Sequence, residues 1–290
     1  MSLFFVKFVK EWNRRVLPNI TIKSNIMVTR AIPLVDLSAF VNGDTEQRQA
    51  FINQLGQAFH EIGFVGVINH GIPKSLIDEF YQESKAFFRL PVDLKRQYEI
   101  EGLAGQRGYT SFGKEHAKQS QVADLKEYYQ NGQEVAEGDH IKSEYPDNEM
   151  VNESPRFTQS GDELYAQFLE AGAHLLRAIA LYLGLEENYF ESRIHNGNSI
   201  LRAIHYPPIT TEPASAIRAE QHEDINLITL LVGASAGGLQ LLNMEGEWME
   251  IMPEEDEIVI NVGDMLQRLT NNYLKSTTHR VVNPPREQWH

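Results

Sequence analysis

The 290-residue sequence contains no cysteine. This absence excludes disulfide frameworks, iron–sulfur clusters, cysteine-ligated zinc, thiolate-bound haem and every cysteine nucleophile. Long hydrophobic runs are also absent, because no apolar stretch approaches the roughly 20 residues that a membrane-spanning helix needs. Catalytic chemistry must therefore depend on histidine, carboxylate, hydroxyl or amine side chains, or on a bound cofactor.

Positive charge is scarce, since 26 Lys and Arg stand against 40 Asp and Glu and give a net charge of −14. Such a field repels nucleic-acid phosphates and anionic lipid heads, so we expect neither nucleic acid nor a membrane as a partner. A local basic pocket for a small-molecule substrate stays compatible with this balance. Lys7 and Lys10 interrupt the apolar residues at the N-terminus, which lacks the core of a signal peptide, and we expect a cytoplasmic protein.

The pattern of the chain predicts one domain, residues 31–290, after an N-terminal extension of residues 1–30 in which Met27 is an alternative start. The front part, residues 31–197, mixes helix and strand signals, and its polar stretch 101–160 predicts a long loop region. Apolar spacing predicts helices at 46–60, 76–87 and 164–185, and buried strands at 32–37 and 64–68. In residues 198–290, short Ile-, Val-, Leu- and Thr-rich runs predict an antiparallel β core. Its predicted strands are 199–205, 227–232, 238–242, 247–251, 257–262 and 278–282.

One short segment, Gln221–Ile225, carries the strongest chemical signal. Side chains alternate along an extended segment, so His222 and Asp224 point the same way and can bind one divalent metal ion. A third ligand must come from elsewhere, and His279 lies 55 residues after Asp224 at the start of another predicted strand. Two histidines and one carboxylate on one face of the ion form the facial triad of non-haem Fe(II) oxygenases.

A hydrolase interpretation competes with the metal site. Residues 233–237 read Gly-Ala-Ser-Ala-Gly and match the G-x-S-x-G nucleophile elbow, with Asp256 or Asp264 and His279 following in hydrolase order. That motif needs a helix after the serine, whereas residues 237–242 favour another strand. A glycine-rich hairpin turn explains the segment better. Phosphate-binding glycine motifs of nucleotide enzymes do not occur.

Several motifs agree in order with one family. They are Ile32–Asp36, Gly63-Phe64, Asn69–Pro73, Asp124–Tyr128, Arg202–Pro208, Gln221–Asp224, Gly238–Gln240, Trp248, Asn261–Asp264, Thr270-Asn271 and Ser276–Val281. With these motifs the sequence resembles the 2-oxoglutarate- and Fe(II)-dependent oxygenases, in the branch that includes isopenicillin N synthase, over about residues 32–290.

The resemblance implies a mainly β fold with flanking helices around a double-stranded β-helix, or jelly-roll, core. It implies that His222, Asp224 and His279 bind Fe(II) and that Tyr206 binds the cosubstrate 2-oxoglutarate. With O₂, the expected reaction oxidises a small organic substrate, by hydroxylation as the default, and converts 2-oxoglutarate to succinate. Substrate contacts are expected from three residues of the long loop region, namely Arg107, Tyr109 and Phe112.

Two positions depart from the family pattern. Ile204 stands where the family often has an asparagine that contacts the cosubstrate. The family's R-x-S motif, whose arginine pairs with the cosubstrate carboxylate, does not occur between His279 and His290. We therefore expect the sequence to end before that motif and before the last core strand. Two alternatives follow: an Fe(II) oxidase of the isopenicillin N synthase type that does not use 2-oxoglutarate, or a metal-free binding protein on the same fold.

Overall fold

The computed structural model describes residues 4–9, 32–116, 122–213, 215–232, 237–254 and 256–286. Their strands are β1 Phe4–Val9, β2 Leu34–Asp36, β3 Phe64–Ile68, β4 Gly108–Thr110, β5 Glu127–Gly132, β6 Ile200–His205, β7 Ala219–His222, β8 Ile228–Val232, β9 Leu239–Leu242, β10 Trp248–Glu250, β11 Ile258–Val262 and β12 His279–Val281. Their helices are α1 Leu37–Val41, α2 Thr45–Glu61, α3 Lys74–Phe88, α4 Val92–Lys95, α5 Pro155–Tyr182, α6 Glu191–Ile194 and α7 Asp264–Leu269.

The strands form two sheets that enclose an apolar layer. The larger sheet has eight strands in the order β2-β3-β11-β8-β1-β6-β5-β4, and the smaller has four in the order β10-β9-β12-β7. Leu231 and Val259 of the larger sheet share one buried cluster with Leu239 and Leu241 of the smaller sheet. Because side chains alternate along a strand, this cluster is the interior of a β-sandwich.

The other face of the larger sheet packs against helices. Alternate residues of β8 and β11 point away from the sandwich interior. Leu230 and Ile260 are examples, and they belong to a second, larger apolar core. That core also takes up the buried faces of α2, α3 and α5, including Phe59, Phe87 and Leu175. Both central strands are thus buried on two faces, which explains their nearly uninterrupted runs of Ile, Val and Leu.

The predicted strands of the second half are confirmed by β6, β8, β9, β10, β11 and β12. Helices α2 and α3 are confirmed as well, and the sequence chemistry explains their bounds. The Asp44 side chain accepts from the Gln47 backbone N–H while the Gln47 side chain accepts from the Asp44 N–H, a capping box that begins α2. Gly63 lies just after the end of α2 and has a φ of 80°. A Cβ atom at this position would lie 2.3 Å from the Lys275 carbonyl oxygen, so only glycine fits there.

Two predictions for the front part were wrong. Helix α5 begins at Pro155, not at residue 164, because proline at the first helical position costs no hydrogen bond there. Within the predicted loop region 101–160, β4 and β5 pair with each other, and β5 pairs with β6. Residues 127–132 read Glu-Tyr-Tyr-Gln-Asn-Gly and are all buried, so their polar composition gave no strand signal.

Strand β1 comes from the predicted N-terminal extension. It lies between β6 and β8 and runs parallel to both, with Phe5 opposite Ile200 on one side and Thr229 on the other. Met27 and the rest of residues 10–31 lie outside the described residues. The domain division of the chain and the expected further strand after His290 stay predictions. Among the described residues, no helix combines the length and apolarity needed to cross a bilayer.

Candidate metal centre

Two neighbouring strands of the smaller sheet bring the three predicted ligands together. His222 ends β7, Asp224 follows two residues later, and His279 begins β12. Strands β7 and β12 are antiparallel, and His279 lies directly opposite His222 in their register. Residues that are 57 positions apart in the sequence therefore become cross-strand neighbours.

The ligand atoms of this triad lie within metal-binding distance of a common point. One nitrogen or oxygen atom from each residue lies within 4.8 Å of the others. His222 Nε2 is 3.8 Å from Asp224 Oδ1, and His279 Nε2 is 3.8 Å from Asp224 Oδ2. The two imidazole ring centres are 4.4 Å apart. A single divalent ion can contact all three groups from this arrangement.

Hydrogen bonds to the backbone determine which nitrogen of each imidazole carries the proton. His222 Nδ1 lies 2.7 Å from the Glu220 carbonyl oxygen, and His279 Nδ1 lies 3.1 Å from the Thr277 carbonyl oxygen. A carbonyl oxygen can only accept, so each Nδ1 carries the proton and donates it. Each Nε2 then carries no proton and presents its lone pair, which is the form that a metal ion requires.

The carboxylate of the triad is also held in place. Asp224 Oδ2 accepts from Thr229 Oγ1 at 2.6 Å and from Asn261 Nδ2 at 3.0 Å, while Oδ1 lies on the His222 side. Thr229 is on β8 and Asn261 on β11, so side chains of the larger sheet orient a predicted ligand that follows β7 of the smaller sheet. Donors of this kind around a ligating carboxylate are typical of metal sites.

Burial differs among the three ligands. His279 and Asp224 are 4% and 9% exposed, whereas the His222 side chain is 31% exposed. The Phe64 ring meets the His279 ring edge-on with centres 5.5 Å apart and covers the inner side. The protein thus holds the site from one side and leaves the other accessible, as an ion with open coordination positions requires.

Tyr206, the expected cosubstrate residue, directly follows β6 and is 4% exposed. Burial raises the pKa of its phenol, while the positive charges of Lys126 and Arg218 act in the opposite direction. The Arg218 guanidinium carbon lies 5.3 Å from the centre of the Tyr206 ring. The phenol therefore keeps its proton at neutral pH and can donate a hydrogen bond to a carboxylate.

A group of charged residues, here called the Glu115 cluster, links this region to β7. Lys126 Nζ lies 2.6 Å from Glu115 and 2.9 Å from Asp124, and Arg202 Nη1 lies 3.1 Å from Glu115. Asp124 Oδ1 accepts from the backbone N–H of Glu220 on β7 at 3.1 Å. This cluster was not predicted from the sequence, although the alternation of Asp124 and Lys126 is the signal that points to it.

The three predicted substrate residues lie in different surroundings. Arg107 is completely buried and donates to the carbonyl oxygens of Gln106 and Gln133. Tyr109 is 2% exposed and donates to Glu127, packed edge-on against the Phe87 ring of the helical core. Phe112 is 49% exposed. The structure gives Arg107 and Tyr109 structural partners, and a substrate contact by any of the three stays a prediction.

The hydrolase alternative gains no support from the described residues. Residues 233–236, which include Ser235, lie outside them. Strand β9 begins at Leu239, so no helix follows the glycine-rich segment directly in the described range 237–242. His279 lies beside Asp224 and His222 in the triad.

Comparisons with known proteins agree with this geometry. Residues 32–153 match the family described as the N-terminal region of non-haem dioxygenases of morphine synthesis, and residues 197–289 match the 2OG-Fe(II) oxygenase superfamily. The 2-oxoglutarate-dependent dioxygenase HtyE of Aspergillus rugulosus is 32% identical, over 88% of this chain and 80% of its own length. The chain belongs to the 2OG-Fe(II) oxygenase superfamily.

Solved structures support the same assignment. A 2OG-Fe(II) oxygenase family protein from Caulobacter crescentus superimposes with a TM-score of 0.80 and 42% identity, covering 90% of this chain and 83% of that one. A Neurospora crassa protein in complex with α-ketoglutarate and thymine gives a TM-score of 0.77 and 31% identity, with coverages of 88% and 80%. The predicted jelly-roll core is confirmed, and the chain is an Fe(II)/2-oxoglutarate-dependent dioxygenase that uses O₂.

Proposed function

We propose that His222, Asp224 and His279 hold the Fe(II) of this dioxygenase and that its reaction hydroxylates a small organic substrate. The convergence of three ligand atoms within 4.8 Å, on side chains already oriented for coordination, carries the proposal. Bound iron supplies the activation of O₂ that the protein's own groups lack, coupled to conversion of 2-oxoglutarate to succinate.

The residues around the triad have distinct tasks in this proposal. The backbone carbonyls at Glu220 and Thr277 keep the ligand nitrogens deprotonated. Thr229 and Asn261 fix the Asp224 carboxylate, so that the geometry does not have to form when the ion binds. Tyr206 donates a hydrogen bond from its phenolic O–H to the cosubstrate carboxylate. The accessible side of the site, near His222, is where substrate and O₂ approach.

The proposed substrate is a small organic molecule. Among the relatives, one Petromyces alliaceus protein is named a proline hydroxylase, with 32% identity over 86% of this chain and 80% of its own length. The Neurospora protein was solved with thymine. These ligands are small but chemically unlike each other, which supports a small organic substrate as the shared property.

The proposal is tested by anaerobic addition of Fe(II) and then 2-oxoglutarate, followed by the weak visible charge-transfer band of the chelate. The wild type is expected to develop the band, while Asp224→Ala and His222→Ala lose metal binding. Asp93→Ala, which removes an exposed carboxylate on α4, is the matched control and keeps the band. The His222 side chain is 31% exposed, so His222→Ala is expected to keep the fold. Circular dichroism checks this expectation.

Three results would contradict the proposal. Metal binding by Asp224→Ala or His222→Ala with wild-type affinity would remove the assigned ligands. Absence of the band in wild type at saturating iron would argue against the cosubstrate. Consumption of O₂ with substrate but without 2-oxoglutarate would favour the oxidase alternative. Ile204, which stands where the family often has an asparagine that contacts the cosubstrate, is compatible with that alternative. Ile204 is 7% exposed and packs in the apolar interior, so it offers no amide to a cosubstrate.

A further inference from the structure

A buried asparagine lies two residues beyond the carboxylate of the triad. Asn226 is 2% exposed and belongs to the segment that connects Asp224 to strand β8. Its Nδ2 donates to Thr229 Oγ1 at 2.9 Å, and Thr229 Oγ1 in turn donates to Asp224 Oδ2 at 2.6 Å. Three side chains of one short segment thus form a chain of hydrogen bonds that ends on a predicted metal ligand.

The chemistry of the three groups fixes the direction of this chain of hydrogen bonds. An amide nitrogen can only donate, so Thr229 Oγ1 accepts from Asn226 with a lone pair. The hydroxyl carries a single proton, which is then directed at the Asp224 carboxylate, a group that can only accept. Consecutive hydrogen bonds polarise one another, so donation by Asn226 also strengthens the bond from Thr229 to Asp224.

The start of α7 holds Asn226 in the position that these hydrogen bonds require. Met265 donates its backbone N–H to the Asn226 carbonyl oxygen at 3.1 Å, and Asp264 donates to the Asp224 carbonyl oxygen at 2.7 Å. Gly263 packs directly against the amide group, since a Cβ atom there would lie 2.3 Å from Asn226 Oδ1. These contacts place the amide without any contribution from a metal ion.

The oxygen atom of the same amide group contributes little to the fold. Asn226 Oδ1 is buried and has no hydrogen-bond partner among the residues that the structure describes. Burial of a polar atom without a partner costs free energy. The bond from Nδ2 to Thr229 is therefore what distinguishes asparagine at this position from an apolar side chain of the same shape.

We infer that Asn226 is a positioning residue of the metal centre, which acts through the Thr229 hydroxyl to orient the Asp224 carboxylate for the metal ion. The inference rests on the proposed function, because it requires Asp224 to bind the ion. Partners behind a ligating group orient it before the ion binds, and they thereby set metal affinity. The effect of Asn226 on the ion is indirect and depends on Thr229.

A double-mutant cycle tests whether Asn226 acts through Thr229. Asn226→Leu keeps the branching of the side chain and removes the donor. We expect it to weaken anaerobic Fe(II) binding about three- to tenfold in wild type, and to have no further effect in Thr229→Val. Asn261→Ala removes the other donor to Asp224 and serves as the control background. There Asn226→Leu is expected to weaken binding again, because the bond from Thr229 remains.

The Co(II)-saturated protein gives a second measurement, which depends on ligand geometry and not on stability. Co(II) accepts the same kinds of ligand as Fe(II), and its visible ligand-field bands respond to the arrangement of the ligands. We expect Asn226→Leu and Thr229→Val to shift these bands in the same way. Asn226→Ala removes the same donor without the bulk of leucine, and it completes the cycle even where Asn226→Leu does not fold.

The outcomes separate this inference from the proposed function. Equal weakening by the Asn226 variants in wild type and in Thr229→Val, with unchanged Co(II) bands, would indicate a structural role and overturn the inference. Wild-type Fe(II) affinity in the Asn226 variants would overturn it as well. Metal binding by Asp224→Ala with wild-type affinity would instead contradict the proposed function, and the inference with it.

Discussion

Glu115 offers a test of the electrostatics inside the sandwich. Its carboxylate lies 2.6 Å from Lys126 Nζ and 3.1 Å from Arg202 Nη1. Burial alone would raise the pKa of this carboxyl, but the two cations outweigh it and hold the pKa at about 2, against an ordinary value of 4.5. Because the folded pKa is the lower one, the pairing stabilises the fold fully above about pH 5 and is lost as the pH falls toward 2.

The size of the effect follows from the pKa difference. A fall from 4.5 to about 2 corresponds to about 3 kcal/mol at pH 7, as an upper bound. The Glu115 side chain is 28% exposed, so solvent screens part of this, and about 2 kcal/mol remains. When Glu115 is changed, Lys126 keeps a second partner, because Asp124 lies 2.9 Å from its Nζ. The loss of stability is therefore smaller than for a buried charge that has lost its only partner.

Glu115→Gln keeps the shape of the side chain and removes the charge. We expect its free energy of unfolding at pH 7 to fall by about 2 kcal/mol, measured by urea titration with tryptophan fluorescence. About half of the difference from wild type should have gone by pH 3. Glu101→Gln, at an exposed position, serves as the control and should stay within about 0.5 kcal/mol of wild type.

Two results would refute this reasoning. A Glu115→Gln variant as stable as wild type at pH 7 would mean that the cluster gives no net stabilisation. A deficit that persists undiminished at pH 3 would mean that it arises from packing or hydrogen bonding, since only the charge titrates in this range.

Other predictions follow from the same structure. Thr229→Val removes the 2.6 Å hydrogen bond to Asp224, and we expect Fe(II) affinity in anaerobic titration to fall about tenfold. The variant is also expected to lose about 1–2 kcal/mol of stability, because the buried Asn226 Nδ2 loses Thr229 Oγ1 as its acceptor at 2.9 Å. Full Fe(II) affinity would show that the bond to Asp224 does not orient this carboxylate. Glu127→Gln breaks a pair with Lys95 at 2.7 Å, in which the side chains are 6% and 5% exposed. We expect about 3 kcal/mol of destabilisation in urea with metal affinity retained, and a loss of metal binding would contradict the placement of this pair outside the site.

The sequence was most informative where one local rule decides the structure. Strands β8 and β11 were predictable because both faces are buried, which leaves continuous apolar runs. His222 and Asp224 were predictable because alternation in an extended segment puts both on one side. The proposed role of Tyr206 comes from the family resemblance and not from periodicity.

Features that depend on residues far apart in the sequence could not be predicted. Strand β5 is polar in sequence, and its buried Glu127 is tolerated only because Lys95 and His205 lie 2.7 Å away in the fold. The proximity of Arg218 to Tyr206 likewise joins two segments whose relative placement no local pattern encodes. The grouping of His222, Asp224 and His279 could be predicted from the sequence, whereas the charged residues around them required the structure.

Strand β1 has a consequence for how the molecule folds. In the described residues it lies between β8 and β6, and so joins the two parts of the larger sheet. Its partners begin 195 positions later at Ile200 and 224 positions later at Ile228. Contacts this distant in sequence carry a large loop-closure entropy and form slowly, whereas helices such as α5 close locally within microseconds. During synthesis, residues 4–9 therefore wait without their partners until residues 200–204 and 228–232 have been made, and closing the sheet is a late step of folding.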